Sequence, residues 1–95
     1  MAKALVIIPT YNEAQNAERI IAEALQQSEV IEVLIVDDNS PDSTTEIVKK
    51  MMESNSRIHL LQRERKLGLG TTYIAGFKFA IERKFDFIFE MDTDF

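Results

Sequence analysis

The densest chemistry in the sequence lies in an acidic triplet, Asp92-Thr93-Asp94, and in an acidic pair, Asp37-Asp38. Two carboxylates two residues apart converge on one divalent ion where a strand ends and the backbone turns. A hard ion such as Mg²⁺ or Mn²⁺ takes oxygen ligands of this kind and keeps positions open for diphosphate oxygens. In a continuing strand both aspartates would share one face, which is costly without a cation. A charged strand end would show the same letters, and an Asp-x-Asp triplet alone is a weak signal. Asp37 and Asp38 repel each other unless a cation, a hydroxyl or backbone amides offset the charge. One of the two suits a sugar hydroxyl or base edge while the other holds the loop Asp37–Asp42. A solvated acidic turn is the alternative.

Two further segments carry polar groups. In Pro9-Thr10-Tyr11-Asn12-Glu13 the proline is expected to stop a strand, Tyr11 offers a flat face for a base, and Asn12 and Glu13 offer partners for a ribose or base edge. The same letters would serve a plain strand-to-helix turn, with Asn12 or Glu13 at the helix N-terminus. Arg63, Arg65 and Lys66 precede Gly68 and Gly70 at the start of a helix, where free amides and the helix dipole favour anions. A solvated basic loop would look alike, and the segment is neither a P-loop nor a Gly-x-Gly-x-x-Gly fingerprint. His59, inside a strand-like run, reads as a packed core histidine.

Positioning these groups falls to a regular alternation of elements. The β-branched and apolar runs Ala4–Ile8, Val33–Asp37, Ile58–Gln62 and Phe85–Asp92 read as strands, three of them continuous enough to be covered on both faces. Between them, Ala17, Ile20, Ile21, Ala24 and Leu25 form a helical stripe. Ser40-Pro41 is expected to open a second helix burying Ile47, Val48, Met51 and Met52. A third begins near Gly70 and turns Tyr73, Ile74, Phe77, Ala80 and Ile81 to one side. Gly76 within it marks either close backbone packing or a tolerated glycine. The order β-α-β-α-β-α-β predicts an α/β, Rossmann-like parallel sheet. Ligands of such sheets sit beyond the carboxyl ends of the strands. That rule selects Pro9–Glu13, Asp37–Asp42 and the segment from Asp92, which are the loops that hold the chemistry.

Composition narrows the classes. At 95 residues the chain suits one domain, and its apolar and charged fractions of 45% and 28% are those of a globular protein. A net charge of −5 argues against a general nucleic-acid binder, which needs a basic face. A nucleotide remains compatible, because a metal held by carboxylates brings phosphates to an acidic site. The absence of cysteine removes disulfide, thiolate-zinc and cysteine-nucleophile chemistry. The apolar run at the start is too short for a signal peptide or a membrane span, so a cytoplasmic protein is the expectation, peripheral at a membrane in a full-length parent.

Taken together, these segments resemble family-two glycosyltransferases of the GT-A fold, and the dolichyl-phosphate mannosyltransferase branch in particular. The resemblance rests on Ile8–Glu13, Ile35–Thr44, Arg63, Lys66–Gly76 and Met91–Asp94, in order along essentially the whole chain. The block Lys66-Leu67-Gly68-Leu69-Gly70-Thr71 points to the branch. The resemblance implies the N-terminal half of a GT-A fold with strand order 3-2-1-4, residues 1–95 forming a nucleotide-sugar-binding subdomain. It places Pro9, Tyr11 and Glu13 in the nucleotide pocket, Asp37 on the base or ribose, Arg63 near the donor, Asp92 and Thr93 at the nucleotide sugar, and Asp92 and Asp94 on Mg²⁺ or Mn²⁺. Asn39 and Ser43 stand where the branch has glycine, and Thr72 and Thr93 where alanine is common. Asparagine tolerates a left-handed turn, Ser43 suits a helix cap, and either threonine adds a hydroxyl close to the site.

The implied reaction is inverting transfer of a hexose, mannose from GDP-mannose, to a polyprenyl or dolichyl phosphate, with the catalytic base expected beyond Phe95 and the isolated chain expected to be inactive. Two other readings compete: a receiver-like signalling module, since Val33–Asp38 has the look of an acidic receiver strand, and a non-catalytic self-associating half-domain. The strand 85–92 is expected at the sheet edge, where Phe85, Phe87, Ile88, Phe89 and Met91 make it a template for pairing into a homo-oligomer.

Overall fold

A computed structural model describes residues 3–64 and 69–91. Within them lie β1 (Ala4–Thr10), α1 (Ala17–Gln26), β2 (Ile31–Asp37), α2 (Thr44–Ser54), β3 (Ile58–Gln62), α3 (Leu69–Glu82) and β4 (Phe87–Glu90). All strand pairs are parallel and their order is β3-β2-β1-β4, as the alternation and the resemblance lead one to expect.

The central strands are buried on both faces because their side chains alternate between two covers. Val6, Ile8, Val33 and Ile35 meet Ile20, Ile21 and Ala24 of α1 and Val48 of α2. Leu5, Ile7, Leu34 and Val36 meet Ala80 of α3, with Tyr73 and Phe77 packed against them. Each leucine or isoleucine so enclosed contributes about 1.5–3 kcal/mol. Met51 and Met52 pack more loosely against the first cluster.

Several boundaries differ from the sequence expectation. β1 does not stop at Pro9 but runs through it to Thr10, with Pro9 opposite Val36. The ladder shows why. Ala4 and Thr10 bond on the β2 side, through Val30 and Asp38, whereas the Lys3 and Ile7 carbonyls bond toward β4. Pro9 has the parity of Ile7, so its missing donor faces the β4 side, past the last described pair, Ile7 with Glu90. α2 opens at Thr44 instead of Ser40-Pro41. A left-handed Asn39 (φ 58°) turns the chain first, and the Asp37 carboxylate holds Ser40 in that turn. β4 is shorter than the run Phe85–Asp92, since the Phe85 amide is still bonded to the end of α3 through the Ala80 carbonyl.

α3 is rotated from the expected face. Ala80 is buried and Tyr73 and Phe77 are half-buried, but Ile74 and Ile81 are 55% and 70% exposed. Thr72 and Gly76 take their place toward the sheet. A helix apolar on nearly every side gives periodicity little to choose by, and contact decides instead. A Cβ built on Gly76 would lie 2.6 Å from Ile7 Cδ1, so this glycine marks close packing. His59 is packed but not enclosed: Nε2 is 2.7 Å from Glu32 Oε1 and the ring lies 5.4 Å from that of Phe79.

Candidate functional site

Parallel strands end together, and the carboxyl ends of β1, β2 and β3 bring Thr10, Asp37, Asp38 and Arg63 into one neighbourhood. Asp37 is 0% exposed. Its Oδ1 accepts from Thr10 Oγ1 and from Ser40 Oγ, both at 2.6 Å, and its Oδ2 accepts from the Ser40 amide at 2.9 Å. Hydroxyls and one amide therefore offset this charge, as the repulsion argument requires. The resemblance sets Asp37 against a base or ribose; here the carboxylate is enclosed and occupied by its own chain, so it braces the loop from beneath.

Asp38 is offset by a cation. Arg63 Nε donates to Oδ1 at 2.6 Å and Nη2 to Oδ2 at 2.9 Å, a bidentate pair with the two side chains only 11% and 9% exposed. Arg63 also donates through Nη2 to Thr72 Oγ1 at 2.5 Å and through Nη1 to Thr71 Oγ1 at 3.1 Å. Its backbone amide continues the sheet, donating to the Asp37 carbonyl at 2.7 Å. The guanidinium is thus fixed by two strand ends and the first turn of α3.

A second set of bonds ties the β1–α1 loop to the β2–α2 loop. Ser40 Oγ accepts from the Asn12 amide at 2.9 Å, and Thr44 Oγ1 accepts from the Glu13 amide at 3.0 Å. Asp42 accepts from the Thr44 amide at 3.0 Å, the Ala14 amide at 3.2 Å and the Thr44 hydroxyl. Slight burial pushes the Asp42 carboxyl up, but bonds from the Thr44 side chain and from the Thr44, Ala14 and own amides outweigh it and hold the group below its ordinary value. Asp42 therefore does the work expected of Ser43, which occupies the N-cap position of α2 without a side-chain cap. Asn12, like Asn39, is left-handed, at φ 56°.

Of the residues singled out in the sequence, Pro9, Tyr11, Glu13, Asp37 and Arg63 stand at this end of the sheet, with Tyr11 39% exposed. Asp92, Thr93 and Asp94 lie outside the described residues, as do Arg65, Lys66, Leu67 and Gly68. Thr10, Ser40 and Thr44 were not expected; their one available signal is a hydroxyl at a strand end or helix start beside an aspartate. A groove between α1 and α2, lined by Glu18, Ile47, Lys50, Met51, Glu53 and Ser54, gathers none of the strand-end residues.

Comparisons with known proteins fit this geometry. The chain is 38% identical over 93 residues to the polyprenol monophosphomannose synthase of Mycolicibacterium smegmatis, covering 97% of this chain and 35% of that protein. It is 39% identical over 92 residues to the undecaprenyl-phosphate mannosyltransferase of Micrococcus luteus, covering 97% of this chain and 38% of the relative. The chain thus spans little more than a third of these relatives. Among solved structures, the mannosyltransferase PcManGT from Pyrobaculum calidifontis in complex with GDP-Man and Mn²⁺ matches 82% of this chain and 24% of its own, with a TM-score of 0.71 and 25% identity. TarS 1-349 of S. aureus in complex with UDP matches 97% and 27%, with a TM-score of 0.70 and 31% identity. The description of glycosyl transferase family 2 matches residues 5–95, nearly the whole sequence. That match sets aside the receiver reading: with the strand order and the braced strand-end loops, it means that this chain belongs to glycosyl transferase family 2.

Proposed function

We propose that this chain is the nucleotide-sugar-binding part of an inverting glycosyltransferase that moves a hexose, mannose carried on GDP, to a polyprenyl phosphate. The observation that carries it is the convergence of Tyr11, the Asp38–Arg63 pair and the braced Asp37 loop at the carboxyl ends of adjacent parallel strands. The names of the two curated relatives support the acceptor, and the GDP-Man of the Pyrobaculum structure supports the donor.

In this reading Tyr11 lies against the base, Pro9 and Glu13 line the pocket, and Arg63 sits beside the donor, while Asp37 keeps the loop in place beneath them. An acceptor phosphate oxygen attacks the anomeric carbon as the bond to the diphosphate breaks, and the nucleoside diphosphate leaves with the electron pair. Asp92 and Asp94, beside Thr93, offer the hard oxygen donors that Mg²⁺ or Mn²⁺ takes, and such an ion when bound offsets the charge of the diphosphate. Among the described residues, no group of three histidine or acidic side chains gathers around one point.

Calorimetry with GDP-mannose and Mn²⁺ tests the reading. The heat is expected to vanish in EDTA and in Asp94→Asn, and GDP ligands are expected to bind more tightly than UDP ligands. Binding that survives EDTA would remove the metal role. Equal or reversed base preference would change the donor, and no nucleotide binding in any condition would overturn the proposal.

The same proposal puts the protein in the cytoplasm, peripheral at the membrane that presents a polyprenyl phosphate; no described helix is long and apolar enough to cross one. Fractionation of cells expressing the parent protein would check this. It also includes self-association through β4, which among the described residues has a partner on one side only and carries Phe87 and Phe89 at 54% and 53% exposure. Light scattering over a concentration series is expected to show a dimer or larger; constant monomer mass at high concentration would end that part.

A further inference from the structure

Resting on the nucleotide-sugar reading, we propose that Thr72 is a positioning residue for the donor, acting through Arg63. A guanidinium has five N–H donors in a rigid fork. Four bonds to described residues engage it: Nε and Nη2 to Asp38, Nη2 to Thr72, and Nη1 to Thr71. The Asp38 pair alone fixes one edge of the fork but leaves the plane free to tilt about that edge. The Thr72 hydroxyl at 2.5 Å removes this freedom by holding the second hydrogen of Nη2 from a different element, with the exposed Thr71 hydroxyl, at 3.1 Å from Nη1, as the weaker second hold.

Thr72 is suited to that task by its own surroundings. It is 1% exposed and sits in α3 one turn before Gly76, whose contact with Ile7 presses the helix against β1. The hydroxyl is thus anchored to the sheet through backbone packing rather than through a flexible stem. Among the described residues the remaining Nη1 hydrogen is the donor left to Arg63 for a ligand oxygen or base edge, and its direction is set by the plane that Thr72 fixes.

The test uses Thr72→Ser, which keeps the hydroxyl, and Thr72→Val, which keeps the shape and removes it. The first readout is the Arg63 side-chain Nε–Hε resonance of the ligand-free chain. A slowly exchanging signal is expected in the wild type and in Thr72→Ser, and fast exchange in Thr72→Val at unchanged backbone shifts. The second is affinity for GDP-mannose, where Thr72→Val is expected to lose about tenfold and Thr72→Ser little, as for one bond to a charged group. In an Arg63→Ala background the Thr72→Val loss is expected to disappear, which a merely structural role would not produce. An Arg63 signal indifferent to Thr72→Val, or losses that simply add, would overturn the proposal. If the wild type binds no nucleotide, the reading of the site fails, and the resonance still decides whether Thr72 positions Arg63.

Discussion

β1 and β4 lie side by side in one sheet, but only β1 is enclosed. Ala4 to Ile8 are buried without a break, whereas Phe87 and Phe89 remain about half exposed. Register explains the contrast. Phe89 stands opposite Val6 and so points to the face that α1 and α2 cover, yet those helices close over β1, β2 and β3. Ile88 points the other way and packs with α3. The centre of the sheet is thus a filled two-sided core whose strand ends are stitched by side-chain bonds, and the β4 flank is held from one face. Apolar content alone does not make a strand central; what covers it does.

The largest test of that contrast compares the two regions directly. Leu34→Ala, at a fully buried position, is expected to cost about 2–5 kcal/mol in denaturant unfolding. Phe89→Ser, on the open face, is expected to cost under about 1 kcal/mol and to lower self-association. Equal costs would mean that the flank is as tightly packed as the centre.

Gly76 marks where the two regions meet, and a smaller effect is expected there. Gly76→Ala would drive a methyl into Ile7, with a loss of about 1–3 kcal/mol by overpacking. Ile7→Val removes the nearest atom, Cδ1, and leaves Cγ1 and Cγ2, each 2.9 Å from the added methyl, so the double variant is expected to lose somewhat less than the sum of the single changes. Strict additivity in thermal or urea unfolding would show that the helix simply moves outward.

The smallest effect belongs to the stitched loops. The Asp42 carboxyl is held below its ordinary value in the folded chain. Its contribution is therefore fully present above the unfolded value and fades as pH falls through the lowered folded value. Asp42→Asn is expected to flatten the acid side of the stability profile modestly, because the group is exposed. An unchanged acid limb would mean that the neutral bonds suffice.

Much of this architecture was legible. Continuous β-branched runs alternating with helical stripes are enough for a parallel sheet, and the strand-end rule points to Tyr11 and Asp37 before any coordinates, while Arg63 stands out by the cations beside a helix start. The division of labour between Asp37 and Asp38 was not, because two identical adjacent letters differ only in which side of the strand end they face. Nor was Arg57, which grips the Ile31, Leu25 and Ser28 carbonyls far along the chain. The orientation of α3 was hidden for the opposite reason: too many of its residues are apolar, and a glycine contact settled the matter.

The bonds from the Asn12, Glu13 and Ala14 amides to Ser40, Thr44 and Asp42 have a mechanical consequence. Two loops that belong to different crossovers share hydrogens, so neither can swing away without breaking the other's contacts. Amide protons of residues 12–14 should therefore exchange in step with those of Ser40 and Thr44, as one opening unit. A push on the Tyr11 rim would then arrive at the first turn of α2 as a rigid displacement.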